Sequence, residues 1–226
     1  MPGVTPQDVA ATVDLTLLHP EATAGQARAL AGDAVRLGTR GVCVSPVYVP
    51  LAVAEVAGSP VSVVTVAGFP GGASLTEGKV AELRAAAAAG ARDVDAVLAY
   101  GRLRGGEDAA VGRDVEALAV AAREAGVTLK VILETGHLSP ELVDRACRLC
   151  VDAGVGWVKT STGFGPRGAS VDDVRRMRAA VGGRAHVKAA GGIRTWDAAT
   201  ALLDAGADAL GCSSLAAVLD GAPTRG

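Results

Sequence analysis

The chain has 226 residues, with 22 Lys and Arg against 24 Asp and Glu, and a formal net charge of −2. That length suffices for one domain with a real core, up to a large barrel, and the near-neutral charge argues against a nucleic-acid binder, which would show a basic face. Half of the residues are apolar, yet the aromatics are only 2 Trp, 2 Tyr and 2 Phe, so the core must be Ala, Val and Leu, and disorder is excluded.

From the N-terminus, residues 1–14 lack the basic start and apolar run of a signal peptide, and no apolar run reaches the roughly 18 residues of a membrane span. Thr5 before Pro6 marks a helix start, because proline suits the first helical position. Short apolar, β-branched runs predict strands at 12–17, 41–45, 61–67, 94–98, 129–134, 157–161, 186–190 and 209–212. Helical patterns lie between them. The stretch 77–89 carries Lys79, read as a surface residue whose stem lies along the helix. In 107–125, Val111, Val115, Leu118 and Ala122 recur at helical spacing. Ser139 before Pro140 marks another start, and Ser170 with Asp173 resembles a capping box. Gly90, Gly126, Gly154 and Gly206 each follow a helical stretch, where a left-handed residue closes it before a strand.

Strands alternating with helices mean parallel strands buried on both faces. Eight in about 220 residues predict an α/β chain folded as a (β/α)8 TIM barrel. An open doubly wound sheet is the alternative, but neither a GxGxxG nor a P-loop is present. No internal linker shows, so residues 1–226 are read as a single catalytic domain, with 220–226 a flexible tail. Cys43, Cys147, Cys150 and Cys212 do not form a disulfide framework, which points to the cytoplasm. The Cys147–Cys150 spacing resembles half a zinc site but falls in a helical pattern, so both are read as core.

Polar residues within apolar strand runs need a reason, because burying them is costly. Asp95, Lys130, Lys159 and Lys188 are such residues. The chain has 18 Arg and only four Lys, and three of those four lie 29 residues apart on successive strands. Neighbouring strands are about 4.8 Å apart. If all three lysines face the interior, the middle one has a cation on each side, and like charge and desolvation both push a lysine toward its neutral form. A neutral lysine attacks carbonyls and forms a Schiff base, whose iminium draws electrons from the adjacent C–C bond. Asp95 is placed to relay protons. The competing reading is a buried Lys–Asp–Glu network that only holds the barrel together.

Strands seven and eight run into Gly191-Gly192 and Gly211-Cys212-Ser213-Ser214. Barrels often bind phosphate in the loops after these strands, through backbone N–H groups and a short helix N-terminus; Thr162-Gly163 is a third candidate. Ordinary tight turns are the alternative. His19, His137 and His186 show no HxH or HExxH spacing, so no metal is expected. His186 shares a strand parity with Lys188 and is read as core or lying behind the reacting groups.

These segments together resemble the deoxyribose-phosphate aldolases, a class I aldolase family of the (β/α)8 type, from about Val13 to Leu219. The strongest matches are Val158-Lys159-Thr160-Ser161-Thr162-Gly163 and Val187-Lys188-Ala189-Ala190-Gly191-Gly192-Ile193-Arg194-Thr195. The resemblance implies reversible cleavage of 2-deoxy-D-ribose 5-phosphate to acetaldehyde and D-glyceraldehyde 3-phosphate, with no cofactor. It implies that Lys159 forms the Schiff base, Lys188 lowers its pKa and assists proton transfer, and Asp95 relays protons. Asp14, Thr16, Cys43 and Lys130 match pocket positions; Thr162, Gly191, Gly192, Ser213 and Ser214 match the phosphate site. It also implies a role in deoxynucleoside catabolism and a homodimer or homotetramer. The chain departs from the family at Ser45, often Asn, and at Ala99-Tyr100, and it ends in Pro223-Thr224-Arg225-Gly226 without the tyrosine of some members. Another Schiff-base sugar-phosphate lyase or a transaldolase-like enzyme, a barrel that only binds a phosphorylated ligand, and a pyridoxal-phosphate enzyme are the competing functions.

Overall fold

Each short β-branched run becomes one stave of a closed barrel. In the computed structural model, which describes residues 4–223, the strands are β1 (Val13–Leu17), β2 (Gly41–Val44), β3 (Ser62–Ala67), β4 (Asp93–Val97), β5 (Thr128–Ile132), β6 (Trp157–Lys159), β7 (His186–Ala190) and β8 (Ala209–Cys212). All pair in parallel in sequence order, and β8 closes onto β1 through Asp14 opposite Gly211. The open doubly wound alternative is thereby excluded: this is a TIM barrel. β5 and β6 stop two residues short of the predicted ends. Hydrogen bonding nevertheless continues past them, with Leu133 N–H donating to Lys159 O and Thr160 N–H to Lys188 O.

The helices are α1 (Pro6–Ala10), α2 (Ala24–Leu37), α3 (Val49–Glu55), α4 (Thr76–Ala88), α5 (Tyr100–Arg104), α6 (Asp108–Ala125), α7 (Pro140–Asp152), α8 (Val171–Val181), α9 (Trp196–Asp204) and α10 (Leu215–Leu219). Their starts follow local chemistry. Thr5, Ser139 and Ser170 accept from Asp8, Leu142 and Asp173 N–H groups, each such cap contributing about 1 kcal/mol. Asp173 does not complete a capping box; its carboxylate is taken by Arg167 and Thr135. α6 ends at Gly126, at φ 68°.

The core between barrel and helices is aliphatic, as the composition requires. Val111, Val115, Leu118 and Ala122 of α6 lie buried in it, as do Cys147 and Cys150 of α7. All four cysteines are free and buried. No helix of the described residues is long and apolar enough to cross a membrane. Asp220 and Ala222 donate N–H bonds to Ala216 and Leu219 carbonyls, continuing the turn of α10, and Ala222 packs against the core. Thr224, Arg225 and Gly226 lie outside the described residues.

Lys79 is not a surface residue. It is fully buried, with Nζ 2.8 Å from Asp114 Oδ2 on α6 and 2.9 Å from the Val97 carbonyl. α4 packs on α6 at this point, so the helix face that seemed free is covered by a helix carrying the matching carboxylate.

Candidate active site

Side chains alternate across a strand. Leu15, Val94, Val131, Val158 and Val187 pack under the helices, so their neighbours Asp14, Asp95, Lys130, Lys159 and Lys188 point into the barrel. The interior is divided. Leu18, Cys43, Val64 and Val66, with Phe69 against them, form an apolar patch. Beside it lies a network of charges.

At its centre, Asp95 Oδ2 accepts from Lys159 Nζ at 2.8 Å and from Lys188 Nζ at 2.8 Å. Lys188 also bonds Asp14 Oδ2. Lys130 bonds Asp93 and lies 3.5 Å from Asp95 Oδ1, which has no hydrogen-bond partner. Burial works against the Asp95 charge, but Lys159, Lys188 and Lys130 outweigh it and hold this carboxyl well below the usual range. Burial likewise opposes the charge of Lys188, and Asp14 and Asp95 more than offset it, so Lys188 stays above the ordinary lysine value. Burial, with Asp95 beside it, pushes the Cys43 thiol up to about 11.

The expectation of a middle lysine with cations on both sides is half met. Lys159 pairs across strands with Lys188, but on its other side stands Ile132, and Lys130 is level with Trp157 instead. The stagger of strands in a barrel puts Lys130 one layer lower. His186 is also misplaced by strand parity. It sits at the first residue of β7, where its side chain is 60% exposed and lies tilted against the Trp157 ring at 4.6 Å between centroids.

Lys159 is the lysine that meets open space. It lines a cavity of about 220 Å³ at the C-terminal end of the barrel, with Thr16, Thr162, Gly191, Gly192 and Ser213 on its walls. Asp14, Cys43, Asp95, Lys130 and Lys188 are fully buried beneath it. A larger cleft of about 770 Å³ between α7 and α8 is lined by none of the barrel lysines. The glycines let two loops meet at the cavity: a Cβ at Gly168 would lie 2.0 Å from the Gly191 carbonyl oxygen, and Gly191 itself has φ 88°. Ser214 stands at the head of α10, exposed and outside the lining.

Several participants were given no role in the site by the sequence reading. Glu134 is buried at φ 57°, and its Oε2 accepts from both the N–H (3.1 Å) and the hydroxyl of Thr162. Thr162 thus spends its donors on Glu134 and fixes its loop. Phe164, edge-on to Phe69 at 5.3 Å and 5.6 Å from His19, forms an aromatic rim over the cavity, and Arg194 reaches the same wall. At the opposite end, Arg40 bonds Asp14 (2.6 Å) and Asp93 (2.8 Å).

A cavity that exposes one amine above a buried carboxylate and a second lysine suits imine chemistry on a carbonyl. Comparison with known proteins gives the same direction. The sequence profile of the DeoC/LacD family aldolases matches residues 9–221. The deoxyribose-phosphate aldolase of Nocardia farcinica is 48% identical over 221 residues, covering 97% of each chain. That of Corynebacterium diphtheriae is 46% identical over 217 residues, covering 96% of this chain and 97% of its own. The tetrameric deoxyribose phosphate aldolase structure from Aeropyrum pernix superposes with a TM-score of 0.89 at 33% identity, over 96% of this chain and 91% of that one. A match of this extent, on a barrel holding the lysine and aspartate positions described, places the chain in the DeoC/LacD aldolase family.

Proposed function

We propose that the chain is a deoxyribose-phosphate aldolase in activity: a class I lyase that cleaves 2-deoxy-D-ribose 5-phosphate reversibly to acetaldehyde and D-glyceraldehyde 3-phosphate. The observation that carries this reading is Lys159, the interior amine that opens to the cavity while its carboxylate partner also binds Lys188.

In the proposed cycle the free amine of Lys159 adds to the aldehyde carbon C1, and loss of water gives the iminium. A base accepts the proton of the C3 hydroxyl, the C2–C3 bond breaks, and its electron pair moves into the enamine. D-Glyceraldehyde 3-phosphate leaves. Protonation at C2 restores an iminium, and water releases acetaldehyde and the amine. Asp95 carries the relayed proton, its unpartnered Oδ1 being the acceptor still available. Lys188, held cationic by Asp14 and Asp95, supplies a fixed positive charge beside the imine nitrogen and moves protons with Asp95. Thr16 forms part of the cavity wall, and Asp14, Cys43 and Lys130 lie buried beneath it. Thr162, Gly191, Gly192, Ser213 and Ser214 form the phosphate site in this reading, the first four of them lining the cavity. No cofactor enters, since the iminium is the electron sink.

The same reading makes residues 1–226 one catalytic domain, working in the cytoplasm on a phosphorylated sugar in deoxynucleoside breakdown. Four buried free thiols support a reducing compartment. We infer a homodimer or homotetramer, supported by the tetrameric Aeropyrum pernix relative; light scattering tests it. Acetaldehyde release from 2-deoxyribose 5-phosphate, unaffected by chelator, tests the activity. No release would remove the assignment.

A further inference from the structure

Among the described residues, the wall of the 220 Å³ cavity carries three side chains able to bear positive charge, Lys159, His19 and Arg194, and no carboxylate. Asp14 and Asp95 lie buried beneath it, and Glu134 stands behind the Thr162 loop with Oε2 taken by the Thr162 N–H and hydroxyl. Glu21, two residues beyond His19, does not line the cavity. A phosphate monoester brings about 1.5–2 negative charges and three strong acceptor oxygens. This wall offers it donors and sets no like charge against it.

Within this wall His19 is uncommitted. β1 pairs with β8, Asp14 opposite Gly211 and Leu15 opposite Cys212. The next residues of the two strands' paths, Thr16 and Ser213, both line the cavity, and beyond Thr16 the chain leads to His19 at the exposed mouth. The His19 ring lies 5.6 Å from the Phe164 ring. Phe164 in turn meets Phe69 edge-on at 5.3 Å and donates its N–H to Thr162 Oγ1 at 3.0 Å. Among the described residues the His19 side chain makes no hydrogen bond and no ion pair. Ring contact therefore places the imidazole while its nitrogens stay available. A neutral imidazole keeps one N–H to donate, and an imidazolium two.

We propose that His19 is a specificity-determining residue of the aldolase reaction: its ring N–H donates to the terminal phosphate of the substrate and so selects the phosphorylated sugar over the free one. This rests on the aldolase reading above. C1 and the phosphate stand at opposite ends of a five-carbon chain. With C1 on Lys159, which is only 2% exposed, the phosphate lies toward the mouth, among the Gly191-Gly192 turn, Ser213 and His19. A hydrogen bond to a charged phosphate is stronger than one to a neutral hydroxyl, so a free C5 hydroxyl gains much less from the same imidazole.

The test compares the full chain with His19→Phe, which keeps a ring against Phe164 and removes the donor, and with His19→Lys, which supplies a donor again. Two quantities are read: kcat/KM on 2-deoxyribose 5-phosphate relative to that on 2-deoxyribose, and the Kd of inorganic phosphate by calorimetry. In His19→Phe the ratio should fall about tenfold, through KM for the phosphorylated sugar, and the phosphate Kd should rise about tenfold. His19→Lys should keep both within about threefold of the unaltered chain, because an ammonium also donates to phosphate. A merely structural role on the rim would lower turnover of both sugars alike and leave the ratio and the phosphate Kd in place, which would overturn the proposal. A His19→Lys protein that falls as far as His19→Phe would overturn it too. If the unaltered chain does not cleave 2-deoxyribose 5-phosphate, the aldolase reading fails. If it does, and His19→Phe keeps the ratio, the His19 inference alone fails.

Discussion

Lys159 and Lys188 stand opposite each other on adjacent strands and share one oxygen, Asp95 Oδ2, each at 2.8 Å. The two amines therefore share one acceptor, and what distinguishes them is what else each one meets. Asp14 takes a second bond from Lys188 and none from Lys159, so the two lysines are not equivalent. One is anchored by two carboxylates and buried; the other has one carboxylate and an open cavity. That asymmetry separates the fixed cation from the nucleophile.

Asp95→Asn should lower kcat by about 10²–10⁴-fold, while inorganic phosphate still competes with substrate as in the parent. The change removes the acceptor for the relayed proton and one charge from each lysine, but touches no phosphate-loop residue. Steady-state kinetics with phosphate as competitor check it. Unaltered turnover would take Asp95 out of the mechanism.

Glu134→Ala should raise KM for the phosphorylated substrate about tenfold with a smaller effect on kcat. The lost bonds to Thr162 N–H and hydroxyl are worth about 1–3 kcal/mol, and they hold the loop that forms one wall of the cavity. A KM unchanged with 2-deoxyribose 5-phosphate would show that the loop keeps its place without Glu134.

Asp114→Asn should destabilise the fold by about 3–5 kcal/mol, because it leaves the buried Lys79 charge without its partner. Replacing both groups, Lys79→Met with Asp114→Leu, should recover most of that loss. Urea denaturation of the three proteins measures it, and equal stability of the single and double variants would refute the pairing.

The carboxyls of Asp14 and Asp95 are buried, which alone would raise them, but the surrounding lysines hold both below the ordinary 3.8. A carboxyl lowered in the folded state stabilises the fold above its unfolded value, and this contribution is lost as pH falls through the folded value. Unfolding free energy from these groups should therefore be flat above about pH 5 and fall progressively below 3.8. The Asp14→Asn protein should show a shallower acid slope. Lys188, raised when folded, contributes fully below 10.5 and loses that contribution as pH rises through its higher folded value.

Much of the fold was legible because its signals are local. Strand runs, Pro-led helix starts and closing glycines each depend on neighbours within a few residues. The three strand lysines were legible too, since a lysine inside an apolar run contradicts its surroundings. Lys79 was not, because its partner Asp114 lies 35 residues away on another helix. Arg40 sits in a turn, where an arginine is unremarkable, and only barrel closure brings Asp14 and Asp93 to it. His186 has the inward parity, but parity does not tell whether a position lies within the barrel or at its mouth. Glu134 ends an apolar run like any strand-end carboxylate; its left-handed backbone and its hold on Thr162 exist only once β5 and β6 are side by side.

The most direct measurement is reduction with borohydride in the presence of acetaldehyde, followed by peptide mass spectrometry. An ethyl group on Lys159, absent without acetaldehyde and absent in Lys159→Arg, which should also be inactive because arginine forms no imine, is the expected result. A label on Lys188 or Lys130 instead, or full activity in Lys159→Arg, would contradict the account.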